Sequence, residues 1–220
     1  MKEDRRLARK MIDEQQPDWI IGSPPCTAFS VWNTSMNYPK MDPAKVAALV
    51  LEGERHLKFM AGIYRRQHER GKFFLHEHPA GARSWQVPVI KNLRSLRGVD
   101  VVRGDQCQYG AAAAAGSDKG QPVKTPTGFM SNSPGILRAS SRICNGRRGH
   151  CSRPEGGQHA ICSGKTAKEA VTYPRDLCRA VLRGITAQLR TDGRIISGCD
   201  GTQAKDGLST GPTEGEQDRQ

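Results

Sequence analysis

The stretch Asp18-Trp19-Ile20-Ile21-Gly22-Ser23-Pro24-Pro25-Cys26 decides how the chain is read. Four apolar or small residues in a row predict a short buried strand. The two prolines stop it, because proline has no N–H to donate to a ladder. Cys26 therefore sits on a stiff loop just beyond a strand end. A thiol held there is positioned and partly desolvated, which suits a nucleophile. It also suits a small buried hydrophobe beside a turn.

Outward from this stretch, residues 5–16 predict a short helix with Leu7, Met11 and Ile12 on one face. Asp42-Pro43 is a helix start, a capping carboxylate followed by proline in the first turn. Val46, Val50, Leu57, Met60 and Tyr64 then recur at helical spacing, so a helix runs to about Arg70 and stops at Gly71. Lys72 to Leu75 reads as a second strand, leading into His76-Glu77-His78-Pro79. Residues 85–97 read as helical, Val99 to Val102 as a third strand, and Thr125 to Ser131 as another. Tyr173-Pro174 opens a last helix with Leu177, Val181, Ile185 and Leu189 on one stripe. Strands alternating with helices predict an α/β layer with a mostly parallel sheet. Sites in such sheets lie beyond the carboxyl ends of the strands. Both Ser23-Pro24-Pro25-Cys26 and His76-Glu77-His78-Pro79 fall there.

The 220 residues suffice for one domain. No apolar run approaches the ~20 residues that span a bilayer. The charged start, with no apolar segment behind it, predicts a protein that is intracellular rather than secreted, with no membrane partner. Net charge is +12, which favours a polyanionic partner, nucleic acid first. Residues 191–220 carry three basic and six acidic side chains, so the rest carries +15. Between Lys119 and Pro154 stand seven Lys or Arg and no acid. The tail, 191–220, is rich in glycine and charge and is expected to be disordered. Seven cysteines, an odd number, argue against a disulfide framework.

Four motifs, taken in order, resemble the cytosine-5 DNA methyltransferase family, in a phage-type variant. Pro24-Pro25-Cys26 with Phe29-Ser30 resembles its Pro-Cys loop, with Thr27 where Gln is usual. Glu77-His78-Pro79, 51 positions beyond Cys26, resembles its Glu-Asn motif, with His78 in place of Asn. Gln106-Cys107-Gln108-Tyr109-Gly110, then Lys124-Thr125-Pro126-Thr127 and Met130-Ser131-Asn132, resembles a later Tyr-Gly and Lys-Pro-Thr pair. Tyr173-Pro174-Arg175-Asp176-Leu177-Cys178 resembles the last helix, which packs beside the cofactor.

The resemblance implies a partial Rossmann-like methyltransferase core over residues 1–190, with S-adenosylmethionine as methyl donor. It implies that the Cys26 thiolate attacks carbon 6 of a flipped cytosine while Glu77 engages ring nitrogen 3. It places Pro24, Pro25, Tyr173 and Pro174 at the cofactor. It places Ser30, Lys124, Thr125, Arg138, Arg142, Arg147, Arg148 and Arg153 at DNA, with RNA open as an alternative. The family's Gly-rich cofactor loop and its ribose-holding acid have no counterpart in the 25 residues before Cys26. The expectation is therefore a fragment of such an enzyme, or one half of a split one, with the cofactor half on a separate chain or upstream domain. Such a chain is expected to bind the donor poorly.

Residues 133–171 form the short basic segment that would face the target, through phosphate contacts. Cys144, His150, Cys151, His159 and Cys162 in this segment are possible zinc ligands, although their spacing matches no common finger. Ser163-Gly164-Lys165-Thr166 resembles the end of a P-loop, but His159 occupies the position that requires glycine. The competing reading is a catalytically inactive nucleic-acid-binding module, zinc-stapled, from a mobile-element polyprotein.

Overall fold

A computed structural model describes residues 2–162 and 164–195. The predicted disordered tail lies outside the described residues beyond position 195. Four strands form one sheet: β1 (Trp19–Gly22), β2 (Phe73–Pro79), β3 (Asp100–Asp105) and β4 (Pro126–Ser131), in the order β1-β2-β4-β3. β1 and β2 are parallel, whereas β4 runs antiparallel to both β2 and β3.

The expectation of a mostly parallel, Rossmann-like sheet is therefore corrected: the sheet is mixed, with a single parallel pair. The cause lies between β3 and β4. A parallel return needs a crossover, usually a helix. Here the chain makes one helical turn, Gln106–Tyr109, and then a Gly- and Ala-rich loop closed by a bridge between Ala112 and Pro122. It turns straight back, and β4 inserts between β2 and β3. The first three strands still point the same way, so their carboxyl ends share one edge of the sheet.

Six helices accompany the sheet among the described residues: α1 (Lys2–Gln15), α2 (Pro43–Glu69), α3 (Pro88–Arg94), α4 (Pro134–Ala139), α5 (Gly164–Glu169) and α6 (Arg175–Thr191). α2 starts where the capping pattern predicts, with the Asp42 carboxylate accepting from the N–H groups of Ala44 (2.7 Å) and Lys45 (3.3 Å). α3 is shorter than the sequence suggests, with a separate turn at Arg83–Gln86 before it.

Each face of the sheet has its own core. Leu57 and Tyr64 of α2, Ile90 and Leu93 of α3, Phe74 and Met130 are buried on one side. Leu75, Phe129, Tyr109, Ile136 of α4, and Leu177 and Ala180 of α6 are buried on the other. Alternation along β2 thus sends Phe74, His76 and His78 toward α2, and Leu75 and Glu77 toward α6. No described helix is long and apolar enough to cross a membrane.

α4 and α6 approach each other through glycine. A Cβ on Gly135 would stand 2.5 Å from the Gly184 carbonyl oxygen, and one on Gly184 would stand 2.7 Å from the Ile136 Cα. The Gln188 Oε1 in the same contact accepts from the Ser133 hydroxyl (3.0 Å) and the Gly135 N–H (3.1 Å). Backbone cannot yield as a side chain can, so Gly135→Ala should cost about 1–3 kcal/mol in urea unfolding. Gly62, exposed in α2 with open space around it, gives the contrast. Gly62→Ala should stabilise by roughly 0.5–1 kcal/mol through helix propensity.

Candidate functional site

Two sequence motifs meet where β1 ends, although His76-Glu77-His78-Pro79, expected beyond the second strand, lies within β2, which runs on to Pro79 with Glu77 paired to Phe129. β1 and β2 pair in register from Trp19 with Phe73 to Gly22 with His76. The loop Ser23-Pro24-Pro25-Cys26 therefore leaves β1 alongside Glu77 and His78. The Ser23 hydroxyl donates to Glu77 Oε2 at 2.5 Å. The Tyr173 hydroxyl, arriving from the segment before α6, donates to the same oxygen at 2.5 Å, and the two hydroxyl oxygens lie 2.9 Å apart. Glu77 is 9% exposed, so this oxygen is served by protein hydroxyls.

On the opposite face His78 fixes the loop itself. Its Nε2 lies 3.1 Å from the Pro24 carbonyl oxygen and its Nδ1 lies 2.6 Å from the Ser84 hydroxyl. A carbonyl only accepts, so Nε2 carries the proton and Nδ1 accepts from Ser84. Beyond Cys26 the chain stays tied: the Phe29 N–H donates to the Cys26 carbonyl (2.9 Å), and Phe29 is buried against α2. The Tyr38 hydroxyl holds the Ala28 carbonyl (3.0 Å). Burial holds His78 well below the usual imidazole range, to about 4. His76 stacks on His78 with ring centroids 5.4 Å apart. Burial, with the neighbouring His78 adding to it, pushes His76 down to about 3. Both rings are neutral near pH 7.

Cys26 is half-buried. Burial raises its thiol above the usual range, and the Glu77 charge raises it further. Burial and Glu77 likewise raise the Tyr173 hydroxyl, keeping it a proton donor. The thiol is thus fixed in place but protonated at rest, and a thiolate forms only when its proton has somewhere to go.

An apolar cavity of about 270 Å³ opens beside this cluster. Leu75, Phe129, Leu177, Val181 and Leu182 wall it, and Ser23, Glu77 and Tyr173 border it with their polar atoms turned to one another. The residues that the family resemblance places at the cofactor lie near one another, Tyr173 meeting Ser23 at the head of the Pro24-Pro25 loop, but they do not line one cavity. Pro24 and Pro25 border a groove of about 400 Å³ with Phe59 and Met60. Tyr173 borders the apolar cavity, and Pro174 a third one beside Gly110.

The predicted nucleic-acid contacts divide. Arg138, Arg147 and Arg148 are exposed. Arg142 lies over the Tyr109 ring, 5.3 Å from its centroid. Arg153 donates to the carbonyls of Gly156 (2.8 Å) and Gly120 (2.9 Å). Lys124 pairs with buried Asp105 at 3.6 Å and donates to the Cys144 carbonyl at 3.3 Å. The Ser30 hydroxyl accepts from the Asn33 N–H, and the Thr125 carbonyl accepts from the Gln106 N–H.

A second cluster lies at the end of β3. The sulfurs of Cys107, Cys144 and Cys151 and a ring nitrogen of His159 all lie within 4.8 Å of one another, and this group could hold a metal ion. The three cysteines are buried and the histidine is half-buried. Of the five ligands predicted from sequence, Cys144, Cys151 and His159 are brought together. His150 and Cys162 are not part of the group. Cys107 takes the remaining place, a residue that spacing within one basic segment could not reveal. Its position at the end of a strand, in Gln106-Cys107-Gln108, was the available signal.

No protein-family model matches the chain, and no curated protein matches it either.

Two measurements check the site. Glu77→Gln removes the charge that opposes the Cys26 thiolate, so the thiol falls toward its ordinary value. Iodoacetamide should then label Cys26 faster at pH 8, by about two- to tenfold, in peptide mapping by mass spectrometry. Separately, His76 and His78 titrate well below the ordinary 6.5 in the folded chain. The unfolded chain therefore binds more protons between about pH 6.5 and 4, and unfolding free energy should fall as pH drops through that window. His78→Gln should flatten the slope.

Proposed function

We propose that the protein acts on the pyrimidine ring of a cytosine in DNA, as cytosine-5 methyltransferases do, with Cys26 as nucleophile and Glu77 as its partner. The supporting observation is that motifs 51 positions apart form one site, joined by the Ser23 to Glu77 hydrogen bond and the His78 to Pro24 contact. In this reading the Cys26 thiol passes its proton to the Glu77 carboxylate, directly or through water, as its sulfur bonds to ring carbon 6. Glu77, protonated in this way, donates to ring nitrogen 3 and steadies the electron density that the addition pushes into the ring. Carbon 5 becomes nucleophilic. The buried Phe29 and the His78 anchor hold the loop that carries the sulfur, while Ser23 and Tyr173 orient the carboxylate.

S-adenosylmethionine would supply the methyl group in that family. Pro24 and Pro25 border a groove and Tyr173 an adjoining cavity, the two sharing Ile21 and Ser23, while Pro174 borders a third, so the four residues do not line one cavity for it. The donor is then held by a separate chain or an adjoining domain. Exposed Arg138, Arg147 and Arg148 are the groups available for phosphate contacts.

The addition step can be tested without the donor. Thiolate addition at carbon 6 lets carbon 5 take a proton from water. Reversal then returns either that proton or the original one to solvent. DNA carrying tritium at cytosine carbon 5 should therefore release label into water. Cys26→Ser and Glu77→Gln should each lower release by at least about 10²-fold while DNA binding persists. Undiminished release from Cys26→Ser would refute the nucleophile.

A second reading has an observation of its own. The Cys107, Cys144, Cys151 and His159 group favours a nucleic-acid-binding module whose basic segment is stapled by zinc, in which Cys26 is a packing residue. In that case tritium release from the intact chain is no faster than from Cys26→Ser.

A further inference from the structure

The sulfur and nitrogen positions around Cys144 carry the furthest inference. In a tetrahedral zinc site with Zn–S about 2.3 Å and Zn–N about 2.0–2.1 Å, two sulfurs stand about 3.8 Å apart, and a sulfur and a nitrogen about 3.6 Å. The Cys144 and Cys151 sulfurs are 3.8 Å apart, and Cys144 Sγ is 3.6 Å from His159 Nε2. Cys107 closes the fourth corner within the same 4.8 Å group. Three thiols and an imidazole are soft and borderline donors, the set that selects zinc over calcium or magnesium.

Around the sulfurs stands a ring of hydrogen-bond donors. The Gln108 side-chain amide points at Cys107 (3.7 Å) and Cys151 (3.5 Å). The Ser152 N–H and hydroxyl point at Cys144, at 3.5 and 3.6 Å. Such outer partners orient the ligands and spread the negative charge of metal-bound thiolates. With four protein ligands no coordination position is left for substrate, which marks a structural ion rather than a catalytic one.

The four ligands come from two parts of the chain. Cys107 belongs to the turn that follows β3, in the body of the fold. Cys144, Cys151 and His159 belong to a stretch of 19 residues, 142–160, without helix or strand of its own. Few apolar contacts hold that stretch down. It is attached by scattered polar contacts: Arg142 bonds Asp105 and Tyr109, Cys144 bonds Asp105 and Lys124, Arg153 bonds Gly120, Gln158 bonds Gln121, and Ala160 bonds Pro122. Internally, the Cys151 N–H bonds the Gly157 carbonyl and the His159 N–H bonds the Gly149 carbonyl. A segment this irregular gains little from burial to offset the entropy of ordering it.

We propose that zinc bound by Cys107, Cys144, Cys151 and His159 is the staple that orders residues 142–160, with Cys107 as the ligand that fastens them to the sheet. This rests on reading the cluster as a zinc site. Each thiol gives its proton to solvent as it binds, so the free energy of coordination becomes folding free energy of the segment. The staple also sets where Arg147 and Arg148, at the exposed tip between Cys144 and Cys151, are presented.

The test uses the full chain. Metal analysis of protein purified without chelator should find about one zinc per chain, and Cys107→Ser should lower it at least about tenfold. Cys162→Ser, outside the cluster, should keep it. Hydrogen exchange followed by mass spectrometry then reads the segment. After zinc is stripped with a chelator, the peptide covering 142–160 should exchange at least about tenfold faster, while peptides covering β2 and β4 hold their protection. Adding zinc back should restore it. A chain that binds zinc but keeps full protection of 142–160 when stripped overturns the staple and leaves the zinc site standing. A chain that takes up no zinc, as purified or after addition, overturns both. Because stripping is done on the unaltered chain, a Cys107→Ser variant that fails to fold does not blunt the test.

Discussion

The imidazole of His78 is the joint on which the site depends. It stands fully buried between the Ser84 hydroxyl and the Pro24 carbonyl. One side ties it to the turn before α3, and the other ties down the loop that ends in Cys26. A buried polar ring left without partners costs several times what a satisfied one contributes. The loop therefore cannot lift away from β2 without exposing both the ring and the carbonyl. Glutamine is the nearest replacement that could still donate to that carbonyl, whereas an apolar side chain would leave it unpaired.

That joint explains why the same strand carries two opposite environments. β2 presents His76 and His78 to the α2 core, where burial keeps them neutral. Its next residue in alternation, Glu77, faces Tyr173 and the apolar cavity, where two hydroxyls meet its carboxylate. A charge is held within reach of the Cys26 thiol, which opposes thiolate formation. The resting state is thus a protonated thiol beside an oriented carboxylate. That arrangement conserves the thiol against stray oxidation or alkylation, and it makes the deprotonating partner part of any chemistry at Cys26.

Much of this was legible in the sequence, and the failures are instructive. Asp42-Pro43 and the 3.6-residue spacing behind it announced α2 to within a residue, because capping and periodicity are local. Cys26 was legible beyond a strand end because prolines stop β1, whereas Glu77, expected past the end of the second strand, lies inside it. The direction of β4 was not legible from its own residues, which read as a strand in either orientation. It follows from what is missing between Asp105 and Pro126, namely a crossover helix. Tyr173 was found, but as a neighbour of the cofactor. Its hydroxyl instead reaches Glu77, 96 positions back, a contact that only the packing of α6 on the sheet creates. Ser23, an unremarkable loop residue in sequence, became visible only once that carboxylate was placed.

The inserted strand also bears on the Cys-His cluster. β4 lies between β2 and β3, so β3 is an edge strand of the sheet, and its end carries Asp105, buried with no exposed surface. Asp105 pairs with Arg103 (2.9 Å) and Lys124 (3.6 Å) and accepts from the Cys144 N–H (2.9 Å). A buried carboxylate is tolerable only when it is paired in this way. Lys124 in turn reaches the Cys144 carbonyl. One anion at the end of an edge strand therefore holds the residue before Gln106-Cys107 and the backbone of Cys144 in a single network. The two sulfurs are brought toward each other by electrostatics in the protein itself. A metal then fastens the rest of 142–160 through Cys151 and His159, starting from a Cys144 backbone that Asp105 and Lys124 hold, with Cys107 as the link to the sheet.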